Sequence, residues 1–88
     1  MESYSIYLKP SAEKDLRRLP KPVVARVLAL MEGLQSEPFP RKAVKLTGTG
    51  RLYRLRAGDY RVVYEVDAEA QRIIIHYIRH RKEIYRRV

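Results

Sequence analysis

Arginines are the residues in this sequence whose type and spacing most clearly predict chemistry. In the segment 52–56, Arg54 and Arg56 alternate with Tyr53 and Leu55, so a strand would carry both guanidinium groups on one face. Arg61 follows in the next alternating segment, and a suitable hairpin register would place it beside the first two. Like charges crowded on one sheet face repel each other. The spacing therefore predicts an anionic ligand for this face.

Such a cluster suits phosphodiester cleavage by the neighbouring ribose 2′-hydroxyl. That reaction needs no metal if the protein stabilises the pentacovalent phosphorane, accepts one proton and donates another. Arginine supplies the positive charge, but its guanidinium stays protonated and is a poor base. The candidates by type for proton transfer are Tyr85, His76, His80, Glu65 and Glu83.

Several other classes of site are disfavoured. The chain has no cysteine, and His76 and His80 lack a carboxylate at metal-ligand spacing, so we expect neither disulfides nor a metal site. The four glycines form no P-loop or dinucleotide-binding pattern. We therefore expect no cofactor.

The net charge of +9 is unevenly distributed along the chain. Residues 1–40 hold six basic and five acidic side chains, whereas residues 41–88 hold thirteen and five, and ten of those thirteen are arginine. This asymmetry favours nucleic acid or an acidic protein segment as the partner. A solvated basic surface is the alternative.

The elements that position these residues follow from hydrophobic periodicity. The 88 residues predict a single domain spanning 1–88, and no apolar run reaches membrane-spanning length, so we expect a cytoplasmic protein. The predicted order is a strand over 3–9, a helix capped by Ser11 and ending at Arg18 or Leu19, a helix over 22–35, a connector over 36–50, strands over 51–57, 60–67 and 72–79, and a short helix or tail over 80–88. This order predicts an α+β fold in which two helices cover one face of a sheet containing a three-stranded antiparallel meander. The other face would stay open.

Several segments resemble the RelE/ParE toxins of toxin–antitoxin pairs. The resemblance covers nearly the whole chain, and its most specific parts are LYRLRAGDYRVVYEV (52–66) and HRKEIY (80–85). Weaker similarity lies in the opening strand, in Ser11-Ala12-Glu13-Lys14-Asp15-Leu16 and in Lys45-Leu46-Thr47-Gly48.

The resemblance implies a catalytic set. It implies that Arg61 and Arg81 grip the scissile phosphate, that Arg54 belongs to the catalytic group, and that Tyr85 orients the attacking nucleotide or moves its proton. The residues expected to contact the substrate are Lys45, Arg51, Arg56, Arg79 and His80. Some relatives have lysines at positions 54 and 56, where one could act as the base. With arginine there, no obvious proton acceptor is left.

The resemblance also implies partners. A RelE-like toxin would enter the ribosomal A site, cleave the messenger RNA and be neutralised by a RelB-like antitoxin in a hetero-oligomer. Two alternatives remain, because one scaffold can serve several functions. These are a ParE-like toxin that inhibits DNA gyrase, and a noncatalytic RNA-binding module for which a basic face suffices.

Overall fold

The computed structural model describes residues 3–46, 48 and 50–82. The elements in chain order are β1 (Ser5–Leu8), α1 (Pro10–Arg18), α2 (Lys21–Ser36), β2 (Val44–Lys45), β3 (Leu52–Ala57), β4 (Tyr60–Asp67) and β5 (Arg72–His80). The predicted α+β class is confirmed. The predictions for residues 83–88, including Tyr85, fall outside the described part of the chain.

The strands form one mixed sheet in the order β1-β5-β4-β3-β2. The predicted antiparallel meander is β3-β4-β5, and β1 adds to it in parallel with β5, so that Leu8 lies opposite Ile75. The short strand β2 pairs with β3 inside the segment that the sequence predicted to be only a connector. Two residues are too few to establish a period-two pattern, which is why this strand was missed.

The core lies between α2 and one face of the sheet. Val27, Met31 and Leu34 are buried at the spacing expected for one side of a helix. They belong to a single cluster of buried residues with Leu55, Val62, Tyr64, Val66, Ile73, Ile75 and Ile78. We call this side of the sheet the helix face. In the described residues, no helix is long and apolar enough to cross a membrane.

A β-bulge interrupts the pairing of β4 with β5. Val63 lies opposite Tyr77 and Tyr64 opposite Ile75, so His76 has no directly opposite residue. Ile75 points to the helix face, yet so does Ile78 three residues later, because the extra residue shifts the alternation. From Tyr77 onward, odd-numbered residues of β5 therefore point away from the helices.

Helix α1 forms hydrogen bonds with the backbone of the part of β5 that extends beyond β1. The Ser11 hydroxyl donates to the carbonyl oxygen of His76 at 2.7 Å, and the Asp15 carboxylate accepts from the amide of Ile78 at 3.0 Å. The four helix residues from Ser11 to Asp15 and the two strand residues from His76 to Ile78 both span roughly 6 to 7 Å, so the two hydrogen bonds match in spacing.

The prediction that Ser11 caps the helix is wrong. The helix begins at Pro10 with Lys9 as the N-cap residue, and Ser11 bonds to the strand instead.

Candidate functional site

Three arginines from neighbouring strands lie side by side on the face opposite the helices. Arg56 of β3 is directly opposite Arg61 of β4, and Arg61 is directly opposite Arg79 of β5. We call these three residues the arginine row. Directly opposite residues of antiparallel strands point to the same face, and neighbouring strands lie about 4.8 Å apart. We call this face, which also carries Arg54, Val63, Glu65 and Tyr77, the outer face.

The members of the arginine row differ in exposure and in their partners. Arg61, in the middle, is only 8% exposed, whereas Arg56 is exposed. Arg54 lies next along the face, opposite Val63. In the part of the chain that the structure describes, no carboxylate lies within ion-pair distance of Arg54 or Arg56.

Arg79 is held at two points. Its Nε donates to Oδ2 of Asp15 at 3.3 Å, and its guanidinium carbon lies 5.0 Å from the centre of the Tyr77 ring. A cation over an aromatic face at this distance is attracted by the ring quadrupole. The guanidinium of Arg79 is thus directed along the outer face.

Arg81 and His80 lie at the same end of the sheet as the arginine row, but in different settings. Arg81 is exposed, and its amide donates at 2.8 Å to the carbonyl oxygen of Asp59 in the β3–β4 turn. His80 is opposite Tyr60 and packs edge-on against that ring, with ring centres 5.0 Å apart. The bulge points His80 to the helix face. The structure therefore does not bring it together with the arginine row.

Two further predicted contact residues lie away from the row. Lys45 is opposite Tyr53, whose ring stacks on that of the core residue Tyr64, so Lys45 projects from the helix-face side of the sheet edge. Arg51 lies at the far end of β3, where its Nη1 is 3.9 Å from the carboxylate of Glu65. Neither Lys45 nor Arg51 lies beside the arginine row.

The proton-transfer candidates Glu65 and His76 are paired on the outer face. Oε1 of Glu65 lies 3.0 Å from Nε2 of His76, and both side chains are half-buried. Glu65 lies four residues along β4 from Arg61, which is about 13 Å at about 3.3 Å per residue. These residues form a hydrogen-bonded pair at a distance from the row. Glu83 and Tyr85 fall outside the described residues.

Sequence reasoning missed two residues that contact the arginine row. Asp15 enters the sequence-based predictions only within a segment of weaker family similarity, and Tyr77 has no role in them. Both contact Arg79, and these contacts depend on the bulge and on the packing of α1 against β5. The polar character of Asp15 on a helix next to apolar residues was the only available signal.

Among the described residues, one titratable group on the helix face has a clear pKa shift. Burial, reinforced by the nearby Tyr53, raises the pKa of the Tyr64 phenol from 10.0 to about 12. The Tyr64 hydroxyl donates to the carbonyl oxygen of Pro38 at 3.1 Å, and its ring stacks on that of Tyr53 at 5.8 Å. Desolvation disfavours the charged phenolate, so Tyr64 is a neutral structural residue.

Comparison with known proteins shows the family to which the chain belongs. The sequence profile of the family described as "ParE toxin of type II toxin-antitoxin system, parDE" matches residues 6–85. The toxin RelG of Mycobacterium tuberculosis is 34% identical over 89 residues, covering 96% of this chain and 98% of RelG. The putative toxin RelE1 of Methanocaldococcus jannaschii is 30% identical, covering 94% of this chain and 96% of that protein.

A solved structure gives the same result for the fold. In the archaeal RelE–RelB complex from Pyrococcus horikoshii, the matching chain is 38% identical and superposes with a TM-score of 0.79, covering 89% of this chain and 94% of that one. These similarities span the strands that carry the arginine row. The chain belongs to the RelE/ParE family of toxins from type II toxin–antitoxin systems.

Proposed function

We propose that this toxin is a ribosome-dependent endoribonuclease that cleaves messenger RNA by attack of the 2′-hydroxyl on the neighbouring phosphate, without a metal. The observation that carries the proposal is the arginine row, three guanidinium groups in register on adjacent strands. Family membership makes the chain a toxin, and the row is what favours RNA as the molecule on which it acts.

The row matches the electrostatic demand of the reaction. The phosphorane carries more negative charge than the phosphodiester from which it forms, so donors fixed in advance stabilise it more than the substrate. Arginine presents a planar set of N–H donors that can bind two phosphate oxygens at once. Strands about 4.8 Å apart bring such donors close enough to share one phosphate group.

Arg61 has the central place in this proposal. It is buried between Arg56 and Arg79, and a buried charge interacts more strongly than one in water because the local dielectric constant is lower. Arg61 would hold the scissile phosphate, with Arg56 and Arg79 on either side. Arg81, which lies at the same end of the sheet, would stabilise the leaving 5′-oxygen, and Arg54 would contact a neighbouring part of the RNA.

Proton transfer falls to residues other than arginine. We assign it to Tyr85, on the resemblance of the C-terminal segment to RelE-like toxins. Glu65 lies about 13 Å along β4 from Arg61, and it already bonds to His76. The proposed acceleration is therefore mainly electrostatic.

We also propose a RelB-like antitoxin as partner. The chain resembles the RelE proteins of solved RelE–RelB complexes, among them the one from Pyrococcus horikoshii. Its net charge of +9 would attract an acidic segment of such a partner. An antitoxin that covered the outer face would block access of RNA to the arginine row.

The test is cleavage of messenger on translating ribosomes, with the cut ends mapped by primer extension. Wild-type protein is expected to cut in register with codons. Arg56→Ala is expected to slow cleavage at least about tenfold, because it removes one donor from the row. Arg72→Ala is the matched control. Arg72 is also exposed, but it lies on β5 about 23 Å from Arg79 and is paired with Asp67, so cleavage should stay within about twofold of wild type.

A second candidate function is inhibition of DNA gyrase, favoured by the match to the ParE family profile. A supercoiling assay run beside the ribosome assay distinguishes the two. Intact messenger with blocked supercoiling would assign the protein to the gyrase inhibitors. RNA binding without either effect would make it a noncatalytic binding module.

A further inference from the structure

One carboxylate joins helix α1 to the arginine row. Oδ2 of Asp15 accepts from the Ile78 amide at 3.0 Å and from Nε of Arg79 at 3.3 Å. The Asp15 side chain is only 16% exposed and that of Arg79 only 25%. An ion pair that is shielded from water is screened less than one on the surface.

The contact is made to the nitrogen of Arg79 that lies nearest its own strand. Bonding at Nε fixes the plane of the guanidinium, and the Tyr77 ring 5.0 Å away supports the same group from another side. Among the described residues, none bonds to the two terminal nitrogens of Arg79. These two nitrogens are the ones that can bind two phosphate oxygens together.

The path of the chain explains why Asp15 can reach this position. Strand β1 ends at Leu8, opposite Ile75, so within the described part of the chain the last residues of β5 have no neighbouring strand on that side. Helix α1 follows β1 directly and runs beside this free edge, where the Ile78 amide needs an acceptor. The bulge at His76 turns Arg79 to the outer face, within reach of the same carboxylate.

We propose that Asp15 is a positioning residue, which holds the guanidinium of Arg79 in the arginine row so that its terminal nitrogens contact the RNA phosphate. The inference rests on the proposed endoribonuclease function. Asp15 itself does not contact the substrate. Its effect on cleavage therefore passes through Arg79.

A double-mutant cycle tests this dependence in the ribosome cleavage assay. Asp15→Asn keeps the size of the side chain but removes its charge, and is expected to slow cleavage about tenfold. In an Arg79→Ala background, the same change is expected to slow cleavage by less than about twofold, because the group that Asp15 positions is gone. Equal effects in both backgrounds would overturn the proposal.

Helix α1 supplies two matched controls. Glu13→Gln also neutralises a carboxylate of this helix, but Glu13 pairs with Arg17 at 2.7 Å in an exposed position. Ser11→Ala removes the other side-chain bond from the helix to β5, which does not involve Arg79. Both variants should cleave within about twofold of wild type, even if Ser11→Ala lowers the melting temperature. A tenfold loss of cleavage in either variant would mean that any disturbance of the packing of α1 against β5 slows cleavage, and this result would overturn the proposal.

An NMR measurement gives a readout that does not require cleavage. In the wild-type protein, the Nε–H proton of Arg79 is expected to exchange with water more slowly than that of Arg56, which has no carboxylate partner in the described residues. Equal exchange rates would overturn the positioning role, whether or not Asp15→Asn folds. If slow exchange at Arg79 accompanied a failure to cut RNA, the endoribonuclease function alone would be wrong.

Discussion

Strand β4 presents two different sets of residues to its two sides. Toward the helices it carries Val62 and Tyr64, which are buried in the hydrophobic core. On the outer face it carries Arg61 and Glu65, with Val63 between them. Both sides are well covered, since Arg61 and Val63 are buried as well. The two sides therefore differ in the kind of interaction they require, more than in their burial.

On the helix face, the polar group is the phenol of a packed aromatic residue. The Tyr64 hydroxyl bonds to Pro38, and the ring stacks on Tyr53. On the outer face, Arg61 lies between two further arginines, an arrangement in which like charges repel. One side of the strand is therefore part of the hydrophobic core, whereas the other concentrates positive charge, for which we propose RNA phosphate as the ligand.

The largest expected effect is that of Arg61→Gln on RNA cleavage. Removing the central donor of the row should lower the rate at least about 100-fold, by analogy with loss of a single oxyanion-stabilising donor. RNA binding should also depend less steeply on salt, with a slope reduced by about 0.7, because one phosphate contact is lost. Ribosome cleavage and filter binding at several salt concentrations measure the two effects.

The control for this variant is its thermal melt, which must show a cooperative transition. If a folded Arg61→Gln protein cleaved RNA within about threefold of the wild-type rate, the proposed catalytic role of the outer face would be wrong, because cleavage would not depend on its central arginine.

The next effect is the alkaline stability of the helix face. The folded-state pKa of Tyr64 is about 12, above the ordinary value of 10.0, so the stabilisation is fully present below pH 10 and is lost as the pH rises toward 12. Over that interval, wild type should lose about 2 to 3 kcal/mol more unfolding free energy than Tyr64→Phe, which has no phenol at this position. Denaturant unfolding at pH 10, 11 and 12 measures the difference, and parallel curves for the two proteins would contradict it.

A smaller effect is expected for Tyr64→Phe at neutral pH. Loss of the hydrogen bond to Pro38 should lower the free energy of unfolding by about 1 kcal/mol, since the ring and its stacking on Tyr53 are retained. Cleavage by the folded protein should be unchanged. A loss of cleavage without a loss of stability would mean that the two sides of β4 are not independent.

The smallest effect is expected at the far end of the outer face. The half-buried pair Glu65 and His76 should contribute less than about 1 kcal/mol to stability, and His76→Gln should change cleavage by less than about threefold. A pH–rate profile of wild type and His76→Gln sharpens this point. If His76→Gln removed the acid limb of the profile and slowed cleavage more than tenfold, His76 would be the proton acceptor and Tyr85 would lose that role.

Much of the fold followed from local pattern. Period-two alternation located β3, β4 and β5 to within about a residue at each end, and the three- and four-residue spacing of apolar side chains located α2. The two-residue strand β2 and the parallel pairing of β1 with β5 were not predicted. Pairing of distant segments depends on packing across the whole domain, which local periodicity does not encode.

The candidate site divides in the same way. The sequence alone determined that Arg54 and Arg56 share a face, because they alternate within one strand. It left Arg61 dependent on the hairpin register, and the structure places Arg61 opposite Arg56 across the short turn at Gly58 and Asp59. Only the tertiary structure decided that Arg79, and not His80, completes the row, and that Asp15 holds it. One physical reason is the bulge at His76, because one unpaired residue reverses the direction of every later side chain in the strand. The other is that the hydrogen bonds from α1 that fix this strand end come from residues more than sixty positions away in the sequence.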